Sequence, residues 1–185
     1  VRKLAPEFDL VVVVDFGHGL MQGEIIGNIC RYSKYLAVNT QTNSANMGFN
    51  YITRYPKLDF AALDELEIRY AAHEKTGDLK LVMKDISGRL RCKNLIVTKG
   101  DSGALAYGAG TGFIEAPALA TDIVDPVGAG DAFLSFTSPL MASGAPLDMT
   151  AFIGNAVGAL AVQIVGNREP VDPVELKKFI TRLLK

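Results

Sequence analysis

The sequence predicts an α/β protein: a doubly wound, mostly parallel sheet with helices on both faces. Three observations point there. Phe8 to Asp15 reads FDLVVVVD, and its four consecutive valines lack the in–out alternation of a half-exposed strand. Such a run suits a strand covered on both faces. Similar short apolar runs alternate along the chain with helical patterns, as in sheets joined by crossover helices. The 185 residues are 49% hydrophobic and 21% charged, an ordinary globular mix for one domain at roughly 150 residues per domain.

The elements follow in order. After the first strand, Gly17, His18 and Gly19 break the chain. Met21 to Lys34 is helical, with Ile25, Ile26, Ile29 and Cys30 on one stripe. Tyr35 to Asn39 is a second strand, Thr40 to Asn50 a polar loop, and Tyr51 to Thr53 a third strand. Asp59 to His73 reads as one acidic helix whose inner face is Phe60, Leu63, Leu66 and Tyr70. Asp78 to Ile86 is the next helix. Asn94 to Thr98 is a strand, followed by the turn Lys99 to Gly103. Ala104 to Tyr107 and Gly112 to Glu115 form a hairpin, and Thr121 to Val124 is a short strand. Gly130 to Ala142 and Asp148 to Val165 are helices. The last helix starts at Asp172 as cap, with Pro173 at the first helical position and Glu175 three residues after the cap.

Composition excludes several function classes. Lys plus Arg is 19 and Asp plus Glu is 20, a net charge of −1. That is no chain built to coat nucleic acid or an anionic membrane. Cys30 and Cys92 are too few for a disulfide scaffold or a cysteine-based zinc site. With only His18 and His73, a histidine-rich metal cluster is excluded as well. The longest apolar tract, Ala151 to Gly166, is interrupted by Asn155 and Gln163 and falls short of the roughly 20 residues of a membrane span. The expectation is a cytoplasmic protein with no nucleic-acid or membrane partner.

Chemistry concentrates in Thr121 to Phe133, TDIVDPVGAGDAF. A strand delivers Asp125, a Gly-Ala-Gly turn follows, and a helix begins near Gly130. Small residues let the backbone approach a ligand closely. The free N–H groups of the first helical turn, with the helix dipole, make an anion site. Asp131 lies in that turn, where the dipole favours the carboxylate. A carboxylate beside an anion nest repels a passively bound phosphate. It has a use if it takes the proton of a hydroxyl that attacks a phosphoryl group. By spacing alone, the same residues serve equally as a helix cap beside a tight turn.

DPVGAGDAF resembles the D-T-x-G-A-G-D-x-F signature of ribokinase-like carbohydrate kinases (the phosphofructokinase-B group), with Pro126 where Thr is usual. The resemblance implies ATP and Mg2+ as cofactors and a small-molecule sugar or sugar phosphate as acceptor. It makes Asp131 the catalytic base and puts the anion hole at Gly128, Ala129 and Gly130. Asp125 and the Val127 carbonyl match the position of a monovalent cation, K+, in some members. Thr98-Lys99-Gly100-Asp101-Ser102-Gly103 resembles the T-x-G-x-x-G turn that touches nucleotide phosphates. Asn155 resembles the Asn beside adenine and ribose, and Gly166 the Gly closing that pocket. The run Val14 to Gly19 is similar to the S-D-Y-x-K-G-like run of the heptose-7-phosphate kinase domain of bacterial ADP-heptose synthesis. That likeness makes Asp15 and His18 candidate substrate residues.

The family also has a P-N-x-x-E run whose Glu helps organise magnesium. Thr53 to Asp59 is read as its counterpart here, with Asp59 the nearest acid. The resemblance covers residues 1–185 as a single nucleotide-binding and catalytic domain and implies a longer kinase, the lid and the N-terminal part being absent. An open sheet edge is then expected, covered by a covalent N-terminal part or a homodimer partner. Two other readings stay open: a non-catalytic regulatory nucleotide-binding module, and a kinase of a vitamin or nucleoside alcohol.

Overall fold

Alternate strand residues face two separate cores. Val38, Leu63, Leu95, Val97 and Leu105 face one; Ala37, Phe60, Ala62, Ile96, Ala104 and Ala106 face the other. Both faces being apolar, the strands show no hydrophobic alternation in sequence. The computed structural model describes residues 1–120 and 122–185. Strands β1 (Val11–Asp15), β2 (Leu36–Thr40), β3 (Phe60–Asp64) and β4 (Asn94–Thr98) run parallel. Strands β5 (Ala104–Gly108) and β6 (Gly112–Ala116) continue the sheet antiparallel. Spatial order equals chain order, so β1 and β6 are the edges.

Helices α1 (Gly23–Tyr32), α2 (Glu65–Ala72) and α3 (Leu79–Arg89) cover the first face through Ile26, Ile29, Ile68, Met83 and Ile86. Helices α4 (Ala129–Ala142) and α5 (Leu147–Ala161) cover the second through Phe133, Leu134, Met141, Leu147 and Ala151. Helix α6 (Pro173–Leu183) packs outside α5 through Leu176. The helix pair α4 and α5 approaches closely at Gly154, where a Cβ would lie 2.4 Å from the Phe133 ring and 2.8 Å from Thr137 Cγ2. The expected mostly parallel sheet with helices on both faces is the architecture found.

Register brings the functional ends together. Asp15 pairs with Thr40, Asp64 with Thr98, Thr98 with Ala104, and Ala104 with Ala116. The carboxyl ends of the parallel strands, the 98–103 turn and the exit from β6 therefore share one edge of the sheet.

Three expected elements differ. The single helix over Asp59 to His73 is a strand, β3, followed by α2, and the break falls at Asp64. Its side chain accepts the Glu67 N–H at 2.7 Å, while the Glu67 carboxylate accepts the Asp64 N–H at 2.9 Å. This reciprocal cap starts a helix and ends the strand. Leu66, expected inside, is 64% exposed. Tyr51 to Thr53 is no strand; Ile52–Arg54 forms a 3-10 turn. Thr121, in the expected strand Thr121 to Val124, lies outside the described residues. Positions 122–124 are not strand; the Val124 and Asp125 N–H groups both donate to Val162 O at 2.9 Å. The cap of α6 is as expected, Asp172 accepting the Val174 N–H at 2.8 Å. Glu175 pairs instead with Lys178 at 2.7 Å.

Candidate active site

The carboxyl edge of the sheet opens into a cleft of about 990 Å³. Open α/β sheets bind ligands at this edge. Its walls come from the ends of β2, β3 and β4, the start of α2, the 98–103 turn, residues 118–120, the start of α4 and one face of α5. Val127, Gly128, Ala129, Gly130 and Asp131 line it, as do Thr98, Lys99, Gly100, Gly103 and Asn155. Segments far apart in sequence that resembled one family's nucleotide site thus meet in one cavity.

The Gly-Ala-Gly turn is built for close approach. Gly128 caps α4 in the left-handed region at φ 82°, which favours glycine. The Ala129 N–H folds back to Pro126 O over a long 3.3 Å. The amides of Gly128 and Gly130 have no partner among the described residues. The half-buried Asp131 carboxylate likewise has no hydrogen-bond or ion-pair partner among the described residues. Burial pushes its pKa above the ordinary carboxylate value. Desolvation acts against the helix dipole, which favours the charged form, and a raised pKa makes the group a better proton acceptor.

Asp125 acts as a strut. Its carboxylate accepts the Val127 N–H at 3.0 Å and the Gly166 N–H at 2.8 Å. These two amides hold its pKa below the usual range. Each oxygen accepts one amide N–H at the position the resemblance assigns to a monovalent cation, and each keeps a further lone pair that could face such an ion. Gly166, at φ 63°, and Asp125 do not line the cleft, though their neighbours Pro126 and Val127 do.

The 98–103 turn is a close-packed corner. Gly103 sits at φ 81°, where a Cβ would lie 2.2 Å from Ala116 O. Its carbonyl accepts the Lys99 N–H at 2.7 Å. Ser102 bonds Asp101 and does not line the cleft. The buried Asn155 donates to Ala116 O at 3.0 Å and Pro117 O at 2.7 Å, so its amino group fixes the strand exit that forms one wall.

Three further candidates, Asp59 for magnesium and Asp15 and His18 for the acceptor, are outside the lining of this cleft. Asp59 is at the opposite, amino end of β3, where its carboxylate accepts the Leu36 N–H at 2.8 Å; it cannot reach the cleft. Asp15 is 3% exposed, accepting the Gly17 N–H at 3.0 Å and the Tyr55 hydroxyl at 2.9 Å, with Arg54 at 3.7 Å. It is the buried anchor of the loops after β1 and β2. The exposed His18 stacks near Phe16, ring centroids 6.2 Å apart, and does not line the cleft.

The acids that do reach the cleft were missed. Asp64 and Glu67 line it as D-x-x-E, the spacing sought further upstream. Glu67 accepts N–H groups from Thr42 at 3.1 Å and Asp64 at 2.9 Å. Burial, with Asp64 nearby, still pushes its pKa up to about 7. The signal was legible as a capping box, once β3 is separated from α2. Among the described residues no group of three or more His, Cys, Asp or Glu could hold a metal ion. Two carboxylates do fit Mg2+, which is usually held by one or two acids together with substrate phosphates.

Fold and cleft together define an α/β protein with a ligand cleft at the carboxyl edge of a mostly parallel sheet, and its family is identified by similarity. Residues 29–173 match the pfkB family carbohydrate kinases. The chain belongs to that family. It is 35% identical over 127 residues to a 2-dehydro-3-deoxygalactonokinase of Haloferax volcanii, covering 68% of this chain and 39% of the relative. It is 24% identical over 173 residues to the bifunctional protein HldE of Citrifermentans bemidjiense, covering 92% and 35%. The chain thus spans under two-fifths of the length of these curated relatives. The fold matches Arabidopsis thaliana ribokinase complexed with ribose and ATP, with TM-score 0.76 and 15% identity, over 97% of this chain and 58% of that one. A Thermotoga maritima ribokinase aligns equally well, with TM-score 0.76 and 20% identity, over 97% and 59%. Among the described residues no helix is long and apolar enough to cross a membrane.

Proposed function

We propose that this chain is the nucleotide-binding and catalytic domain of an ATP-dependent kinase for a sugar or sugar phosphate. The observation that carries the reading is the half-buried Asp131 carboxylate beside the Gly128 and Gly130 amides in one cleft, all three without a partner among the described residues. A general base and an anion hole in contact are what phosphoryl transfer to an alcohol requires.

Asp131 accepts the proton of the acceptor hydroxyl. The acceptor oxygen bonds the γ-phosphorus as the bond from that phosphorus to the bridging oxygen of ADP breaks. The products are the phosphate ester and ADP, with the proton left on Asp131. The Gly128 and Gly130 amides stabilise negative charge on the moving phosphoryl group. Lys99 and the Gly100 turn hold the nucleotide phosphates, and the wall fixed by Asn155 takes the base. Asp64 and Glu67 would hold Mg2+, which when bound neutralises charge on the phosphates.

The test is Asp131→Asn in the intact protein, assayed with magnesium-ATP against a panel of sugars, sugar phosphates and sugar acids. Transfer should fall about 10²–10⁴-fold while nucleotide affinity is kept. An Asn variant with full activity removes Asp131 as base. No transfer by the wild type to any acceptor, with nucleotide binding intact, leaves a regulatory nucleotide-binding module.

A further inference from the structure

The cleft carries more negative than positive charge. Five carboxyl groups line it, those of Asp64, Glu65, Glu67, Asp101 and Asp131, against the three cations Arg69, Lys75 and Lys99. Such a lining repels a polyphosphate unless cations face it or arrive with it. Arg69 is already committed, to the Glu65 carboxylate at 2.7 Å and to Gly77 O at 2.9 Å. Lys99 and Lys75 have no ion-pair partner among the described residues. Lys99 belongs to the 98–103 turn; Lys75 has no role so far.

The backbone around Lys75 is tied down. Helix α2 ends at His73 in the left-handed region, φ 55°. The next amide, Glu74 N–H, donates back to Arg69 O at 3.0 Å. The Glu74 carboxylate accepts the Thr76 and Gly77 N–H groups at 3.1 and 3.0 Å. Arg69 clamps Gly77 from the other side. The neighbours of Lys75 are thereby fixed, while its own side chain is exposed at the cleft wall. An ammonium group on a fixed turn loses less freedom on binding than one on a loose loop.

We propose that Lys75 is a phosphate-binding residue of this cleft, reaching the phosphate chain of the nucleotide from the turn between α2 and α3. The proposal rests on the nucleotide reading above. It makes Lys75 a determinant of the preference for a phosphorylated nucleotide over a bare nucleoside.

The experiment is calorimetric titration of the 185-residue chain with magnesium-ATP and, separately, with adenosine. Wild type, Lys75→Ala and Lys75→Arg are compared, with thermal melts to verify folding. Lys75→Ala should weaken magnesium-ATP binding about tenfold and leave adenosine binding unchanged. Lys75→Arg should restore most of the loss, because the charge is kept. Unchanged magnesium-ATP affinity in Lys75→Ala overturns the role of Lys75 and leaves the nucleotide reading standing. An equal loss for both ligands also overturns it, since the residue then acts through the fold. A folded wild type that binds neither ligand overturns the nucleotide reading, and the role of Lys75 with it.

Discussion

Glu67 illustrates how one buried acid links the site to the fold. Its pKa is raised to about 7 from an ordinary 4.5, chiefly by burial. The folded state therefore holds this proton more tightly than the unfolded chain. Stability from Glu67 is present below pH 4.5 and is lost as pH rises through about 7. In metal-free buffer, Glu67→Gln should flatten the fall in unfolding free energy across that window, by about 3 kcal/mol. Parallel denaturation curves at each pH check this; identical slopes for variant and wild type would refute it. The same residue shows what was hard to read. DPVGAGDAF was legible because glycines and an acid at fixed spacing carry their own chemistry. Glu67 was hidden because its helix was joined to the strand before it. Asp15 and His18 were singled out by a local likeness, yet Asp15 spends its oxygens on Gly17, Tyr55 and Arg54.

At the level of elements, strands buried on both faces are the least legible part. The five residues of β3, FAALD, have no period-2 pattern, because Phe60 and Ala62 face one core and Ala61 and Leu63 the other. Amphipathic helices were easier, since a single apolar stripe marks α1, α3 and α6. The contact between α4 and α5 was invisible, because a glycine in a helix gives no hint of what lies against it. Gly154 is such a case, with the Phe133 ring 2.4 Å from where its Cβ would be. Gly154→Ala should cost about 1–3 kcal/mol of stability through overpacking, in spite of the higher helix propensity of alanine. Chemical denaturation reads this directly, and a more stable alanine variant would show that the two helices can part without loss.

For the whole molecule, the exposed edge of the sheet is the dominant feature. β1 pairs with β2 and, among the described residues, with no other strand. Val12 on it is 39% exposed, and Phe8 and Phe16 beside it are 56% and 38% exposed. Unpaired edges with apolar side chains recruit further strands. The 185-residue chain should therefore self-associate as concentration rises, and Val12→Lys should shift it toward monomer. Sedimentation velocity over a dilution series measures both, and a wild type that stays monomeric throughout would show that the edge is harmless.

Identical spatial and sequential strand order also bears on how the molecule is made. During synthesis each new strand finds its neighbour already made, but the parallel pairings, such as Val11 with Leu36 and Phe60 with Asn94, close long loops and form slowly. The two sides of the sheet do not mature together. The side holding Ile26, Ile68 and Ile86 is sealed as each crossover helix is completed, whereas Phe60 and Ile96 wait for α4 and α5. A nascent chain that has just finished β6 thus carries all six of these strands with one bare apolar side. That is the moment of greatest exposure to aggregation on the ribosome, and it ends when the segment carrying Asp131 folds into place.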